Sequence, residues 1–129
     1  MRTHKPIINK LVLMAQRAHI LVVEDDPLVA EVVVDALQDL YDTSQAEDAG
    51  TGLARLHTGG IDLILLDCSL PGGLGDELIP AADGAGIPII LMSGNPEMAE
   101  RVGGNRPFVL KPFALSALMD MIGVHLRSA

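Results

Sequence analysis

Three stretches of this chain, ILVV at 20–23, IDLILL at 61–66 and PIILM at 88–92, run through Val, Ile, Leu and Met with almost no polar alternation. A strand with one wet face alternates apolar and polar residues, so strands of this kind are covered on both faces, and the sheet that accommodates them is parallel with helices on either side. The intervening segments carry the helical period. PLVAEVVVDALQDL (27–40) is amphipathic with Pro27 in its first turn, AGTGLARLHT (49–58) is a second helix, and FALSALMDMIGVHLR (113–127) is a last one. Strands are expected at 19–24, about 42–46, 61–66, 88–92 and 107–110, and shorter helices after residues 75 and 95, where Pro80 and the glycines at 84, 86, 103 and 104 weaken the pattern. The fold class is therefore α/β, a five-stranded parallel sheet with shortened third and fourth helices.

The chain has 129 residues, 49% of them hydrophobic, enough for one domain with a sizeable core. Its net charge of -8 and the lack of any Lys or Arg run argue against a nucleic-acid partner. A single cysteine, Cys68, excludes an internal disulfide and fits a reducing cytoplasm. No stretch reaches transmembrane length, and Asn9 and Lys10 interrupt the apolar part of the N-terminus, so neither a membrane span nor a signal peptide is read there. The domain is expected over 19–127, preceded by an extension at 1–18. Within the extension, residues 1–13 either reflect an upstream start, with Met14 as the natural one, or form a short helix through Ile7, Ile8, Leu11 and Val12.

The charge distribution at the strand ends points to chemistry. HILVVEDDP (19–27) runs a buried strand into Glu24, Asp25 and Asp26, and LILLD (63–67) ends on Asp67. In an open parallel sheet, ligands sit outside the carboxyl ends of the strands, where the chain order reverses. Two ionised carboxylates about 4 Å apart at an effective dielectric near 20 repel by roughly 4 kcal/mol, which a divalent cation relieves. Hard oxygen donors suit Mg²⁺, often completed by a phosphate. Asp26, before Pro27, reads as a helix N-cap rather than a ligand. Ser93 in LMSG and Lys111 in FVLKPF lie at the ends of the fourth and fifth strands, on the same rim.

Taken together, an acidic pair after the first strand, an Asp after the third, a Ser after the fourth and a Lys before Pro after the fifth resemble the response-regulator receiver family, the CheY-like phosphoacceptor domains, over residues 19–127. The resemblance implies a doubly wound sheet of order 2-1-3-4-5 and a phosphorylated Asp67. It implies that Asp25 ligates Mg²⁺ directly, with Glu24 acting mainly through water and the backbone carbonyl of Ser69 completing the metal site. Ser93 would donate its hydroxyl to the phosphoryl group, Lys111 would pair with it, and Phe108 would hold the aromatic switch position. It further implies a bacterial two-component system, with a sensor histidine kinase or histidine phosphotransfer protein as donor and an unknown protein as downstream target. The protein would act as a stand-alone receiver.

His4 and His19, read as preceding the first strand, and His57 and His125, within helices, do not look like the phosphohistidine donor. The spans from Asp67 to Ser93 and from Ser93 to Lys111 are each about one helical turn short of the family pattern, which reduces the face made by the fourth helix, fifth strand and fifth helix. Residues 95–106 are expected to be the most mobile part of the domain and to gain order on phosphorylation. Rival readings fit less well. A phosphatase of the haloacid-dehalogenase type needs an acid two residues after its Asp, and position 69 is Ser. A flavin protein needs a hydroxyl-rich first loop and stacking aromatics, and this chain has only Tyr41, Phe108 and Phe113. A degenerate scaffold would not keep the full acid, Ser and Lys set. The methionines read as core filler, and Cys68 as a small buried residue.

Overall fold

The computed structural model describes residues 17–74 and 77–128; the expected short helix within 1–13 lies outside them. Five strands alternate with five helices: β1 (His19–Val23), α1 (Pro27–Leu37), β2 (Asp42–Ala46), α2 (Ala49–His57), β3 (Leu63–Asp67), α3 (Leu78–Gly84), β4 (Ile89–Ser93), α4 (Pro96–Gly103), β5 (Phe108–Leu110) and α5 (Leu115–Ser128). All pairings are parallel and the sheet order is β2-β1-β3-β4-β5.

The uninterrupted apolar runs acquire their meaning here. Successive side chains of a strand point to opposite faces, and both faces of this sheet are covered. Leu21, Val23, Ile64, Leu66 and Leu91 face one core together with Leu56 of α2, Leu78 of α3 and Ala99 of α4. Ile20, Val22, Leu63, Leu65, Ile90 and Met92 face the other, with Val33 and Leu37 of α1 and Leu118 and Ile122 of α5. The two edges are built differently from the centre. β2 reads DTSQA with only Ala46 buried, and β5 has three residues, so neither offers a long apolar edge for further pairing.

The element ends differ from the sequence expectation for local reasons. β1 begins at His19 itself, whose N–H donates to the Asp62 carboxylate (2.8 Å) while Asp62 N–H donates back to His19 O. That exchange holds Asp62 outside the ladder, and β3 starts at Leu63 rather than 61. It also runs one residue further than expected, so Asp67 is the last residue of the strand. β4 and β5 start one residue late, at Ile89 and Phe108, because Pro88 and Pro107 have no N–H; their carbonyls still accept from Ile64 and Leu91. α1 stops at Leu37 instead of 40. Gln38 is its C-cap, and the Arg17 guanidinium donates to Gln38 O (2.5 Å), closing the helix end.

The third and fourth helices are short, at 7 and 8 residues. α4 lies so close to β4 that a Cβ on its last residue, Gly103, would collide with the buried Leu91 side chain. Glycine there permits the close approach and also limits the helix.

Candidate functional site

β1 and β3 are neighbours, and the connection from β1 leads to the edge strand β2 on its other side. The carboxyl ends of β1 and β3 therefore flank the point where the order reverses, the crevice in which open parallel sheets bind ligands. Glu24, Asp25 and Asp67 meet there, each offering a carboxylate oxygen, all within 4.8 Å of one another. Glu24 continues the sheet, its N–H donating to Ala46 O (3.0 Å), which turns its side chain inward to 4% exposure. Asp25 is exposed. Asp26 accepts from Leu28 N–H (2.9 Å) and is the N-cap of α1, as its place before Pro27 implied.

Asp67 is 1% exposed. Its Oδ1 accepts two hydrogen bonds from one residue, the Ser69 N–H and the Ser69 hydroxyl, each at 2.9 Å. Its Oδ2 faces Lys111 Nζ at 3.4 Å. Lys111 is carried to this rim by register: its N–H donates to Ser93 O (2.8 Å), extending the β4–β5 ladder past the end of β5. The Lys111–Pro112 peptide is cis. Lys111 Nζ lies closer to Glu24 Oε1, at 2.7 Å, than to Asp67.

Two buried acids beside one lysine cannot both ionise freely. Burial, reinforced by Asp67, pushes the Glu24 carboxyl up to about 7, more than Lys111 and the Asp26 N–H lower it. Burial also works against the Asp67 carboxylate, but bonds from Glu24, from the Ser69 N–H and hydroxyl, and the Lys111 charge together hold it below its usual value. Of the two acids, Glu24 is therefore the one that takes a proton more readily and Asp67 the one that ionises more readily. Burial would lower Lys111, and its two acidic neighbours more than restore it, so it stays charged.

Ser93 and Phe108 occupy their expected strand positions, and the Ser93 hydroxyl makes its hydrogen bonds away from the acids. Ser93 is fully buried; its hydroxyl donates to Asn95 O (2.6 Å) and accepts from Asn95 N–H (3.2 Å). Phe108 opens β5 opposite Leu91 and packs, half-buried, against the core that α2 to α4 cover. Cys68 is buried, and burial and the Asp67 charge raise its thiol, which keeps it protonated and unreactive. Sequence reasoning overlooked the Ser69 hydroxyl, although a Ser two residues after an Asp is a signal for a local side-chain turn. It also expected Glu24 to act mainly through water and did not foresee its pairing with Lys111, of which Glu24 is the nearer partner; a pairing across 87 residues leaves no local signal.

The donor set fits a hard divalent cation: all oxygen, two members buried and one exposed, with a carboxylate charge that a cation would offset as Glu24 gives up its proton. Glu24 and Asp25 open on a cavity of about 470 Å³ that Gln45 and Glu47 also line. Among the described residues no helix is long and apolar enough to cross a membrane.

Comparison with known proteins places these features in context. Residues 20–123 match the family model of the response regulator receiver domain. The chain is 32% identical over 118 residues to the DNA-binding response regulator MtrA of Mycolicibacterium smegmatis, covering 86% of this chain and 51% of that protein. It is 26% identical over 113 residues to the chemotaxis protein CheY of Pseudomonas aeruginosa, covering 80% of this chain and 91% of that one. The chain spans about half the length of several of the curated relatives it matches. A CheY-like receiver domain protein from Methanospirillum hungatei superposes with a TM-score of 0.75 at 26% identity, covering 86% of this chain and 94% of that one.

Proposed function

Because this chain belongs to the response regulator receiver domain family, we propose that it accepts a phosphoryl group on Asp67 from a phosphohistidine of a sensor kinase or phosphotransfer protein and signals through phosphorylation-dependent protein binding or onward relay. The observation that carries the reading is Lys111 spanning Glu24 and Asp67 beside the exposed Asp25. A carboxylate held ionised at a strand end, with a fixed cation beside it, is arranged as a nucleophile for phosphorus rather than as a structural ion pair.

In this reading Asp67 attacks phosphorus in line with the departing nitrogen or oxygen, forming an acyl phosphate. Lys111 follows the charge onto the transferred phosphoryl oxygens. Its short stem reach is already set by the β4–β5 register, so little reorganisation is required at the moment of transfer. Asp25 and Glu24, with Asp67 and the Ser69 carbonyl, would hold Mg²⁺, and the ion when bound neutralises charge on the phosphoryl oxygens. Ser93 supplies a hydroxyl donor to the product, and Phe108 responds at the switch position. The -8 net charge favours a protein partner over nucleic acid for the output, and the site belongs in the cytoplasm where such donors act.

Incubation with acetyl phosphate and Mg²⁺ followed by mass spectrometry tests this. A single phosphoryl group on Asp67, lost in Asp67→Asn because an amide cannot form the acyl phosphate, is the expected result. Label retained in Asp67→Asn, or found on Ser93 or a histidine of the wild type, would overturn it.

A further inference from the structure

α1 carries an apolar strip on its outer side. Leu28 is 71% exposed and Val32 52% exposed. Between this helix and the start of α5 runs a groove of about 480 Å³ lined by Leu28, Val29, Val32, Lys111, Phe113 and Leu115. Two acids share the strip: Leu28, Glu31, Val32 and Asp35 are all exposed and follow one another at helical neighbour spacing. Apolar surface gathered along a groove marks a contact site. The occupant that fits it presents apolar and basic residues at the same spacing, the first for the strip and the second for its acids.

The chain itself contains such a segment. Ile7, Lys10, Leu11 and Met14 repeat the spacing of Leu28, Glu31, Val32 and Asp35. Residues 1–17 hold Arg2, Lys5, Lys10 and Arg17 and no acid, whereas all 17 Asp and Glu lie beyond them. Arg17 determines where this segment joins the domain. Its guanidinium donates to Gln38 O (2.5 Å) and Tyr41 O (3.4 Å), just past the C-terminal end of α1. From Gln38 back to Val32 is about 9 Å along the helix axis, and to Leu28 about 15 Å. Six residues separate Arg17 from Leu11, which at helical rise is also about 9 Å, and four more bring Ile7 level with Leu28. Extended chain reaches further still. We propose that residues 7–14 lie along this groove of the same molecule, with Ile7 and Leu11 against Leu28 and Val32, and Lys10 beside Glu31 and Asp35. Lys111 lines the groove and also faces Asp67 (3.4 Å), so the docked segment stands beside the acidic site.

Paramagnetic broadening in NMR spectra of the full chain tests this. Asn9→Cys, off the repeated positions, takes a nitroxide in a Cys68→Ala background that removes the native thiol. The amides of Leu28, Val32 and Leu115 should lose signal strongly, while those of Leu56 and Ala82, on the opposite side of the sheet, should keep theirs. Three further variants remove the contact from either side: Leu11→Asp in the segment before β1, Val32→Asp at an exposed position of α1, and Glu31→Lys combined with Asp35→Lys. The first two should restore the Leu28 and Leu115 signals, and the charge reversal should restore them in part, most clearly at low salt. Mixing nitroxide-labelled protein with isotope-labelled protein that carries no nitroxide reads contacts between molecules, and there the same amides should keep their signal. Broadening seen in the mixture as strongly as within one molecule would put a second copy in the groove and overturn the proposal. Equal signal loss at Leu28 and Ala82, no loss at either, or a loss at Leu28 unchanged by Leu11→Asp would overturn it as well.

Discussion

Glu24→Gln removes a carboxyl group that folding makes costly to ionise. The Glu24 side chain is 1% exposed. Burial first, and then the neighbouring Asp67, move its pKa from 4.5 to about 7 against the pull of Lys111 and the Asp26 N–H. Since the folded value lies above the unfolded one, the native state holds more protons than the unfolded state between the two, and stability falls as pH rises through that window. Below about pH 4.5 Glu24 is protonated in both states and imposes no penalty; above about 7 the penalty is complete. At about 1.4 kcal/mol per pH unit, the interval from 4.5 to about 7 corresponds to about 3 kcal/mol. Asp67 works in the other direction, because its folded value is depressed. Its contribution is present above its unfolded value of 3.8 and is lost as pH falls through the folded one, so it does not change between pH 5 and 8. Glutamine keeps an oxygen that can accept from Lys111 and has no proton to lose. Urea unfolding in metal-free buffer should therefore show Glu24→Gln gaining on the wild type by up to about 3 kcal/mol as pH rises from 5 to 8. Mg²⁺ should flatten the wild-type pH dependence by compensating the ionised acids, with little effect on the variant. A stability difference independent of pH, or a variant that loses ground at pH 8, would refute the reasoning by showing Glu24 ionised and net stabilised by Lys111.

Lys111→Ala should slow phosphorylation by acetyl phosphate by at least about tenfold, from loss of the fixed cation at the phosphoryl oxygens, as followed by mass spectrometry over time. It should also destabilise the protein by about 1–3 kcal/mol at pH 8, where the remaining acids lose their counter-charge. Asp25→Asn should weaken Mg²⁺ binding by about tenfold in titration calorimetry. Its stability without metal should stay within about 0.5 kcal/mol of wild type, because Asp25 is exposed. Gly103→Ala should cost about 1–2 kcal/mol in urea unfolding, the collision with Leu91 outweighing the better helix propensity of Ala; a stabilised variant would show that α4 can move off β4.

Much of the architecture was legible in the chain because it rests on short-range signals. Unbroken apolar runs such as ILVV and IDLILL announced strands buried on both faces, and the two cores that Ile20 and Leu21 enter on opposite sides follow from a strand period of two. Asp26 before Pro27 marked a helix start, since capping involves residues within one turn. The convergence of Glu24, Asp25 and Asp67 was readable as well, because parallel strands all deliver their carboxyl ends to one rim. What those residues do to one another was decided only by tertiary structure. Glu24 faces inward through a sheet bond to Ala46, and Lys111 reaches it through a ladder bond to Ser93; neither contact is local, and burial raises Glu24 while Asp67 is held below its usual value. The Ser93 hydroxyl likewise looked free for a ligand in sequence, yet in the fold it is bound to the carbonyl that begins α4. Local pattern determines where a side chain starts; its partner and its charge depend on burial and on which strands lie beside it, and those are properties of the assembled sheet.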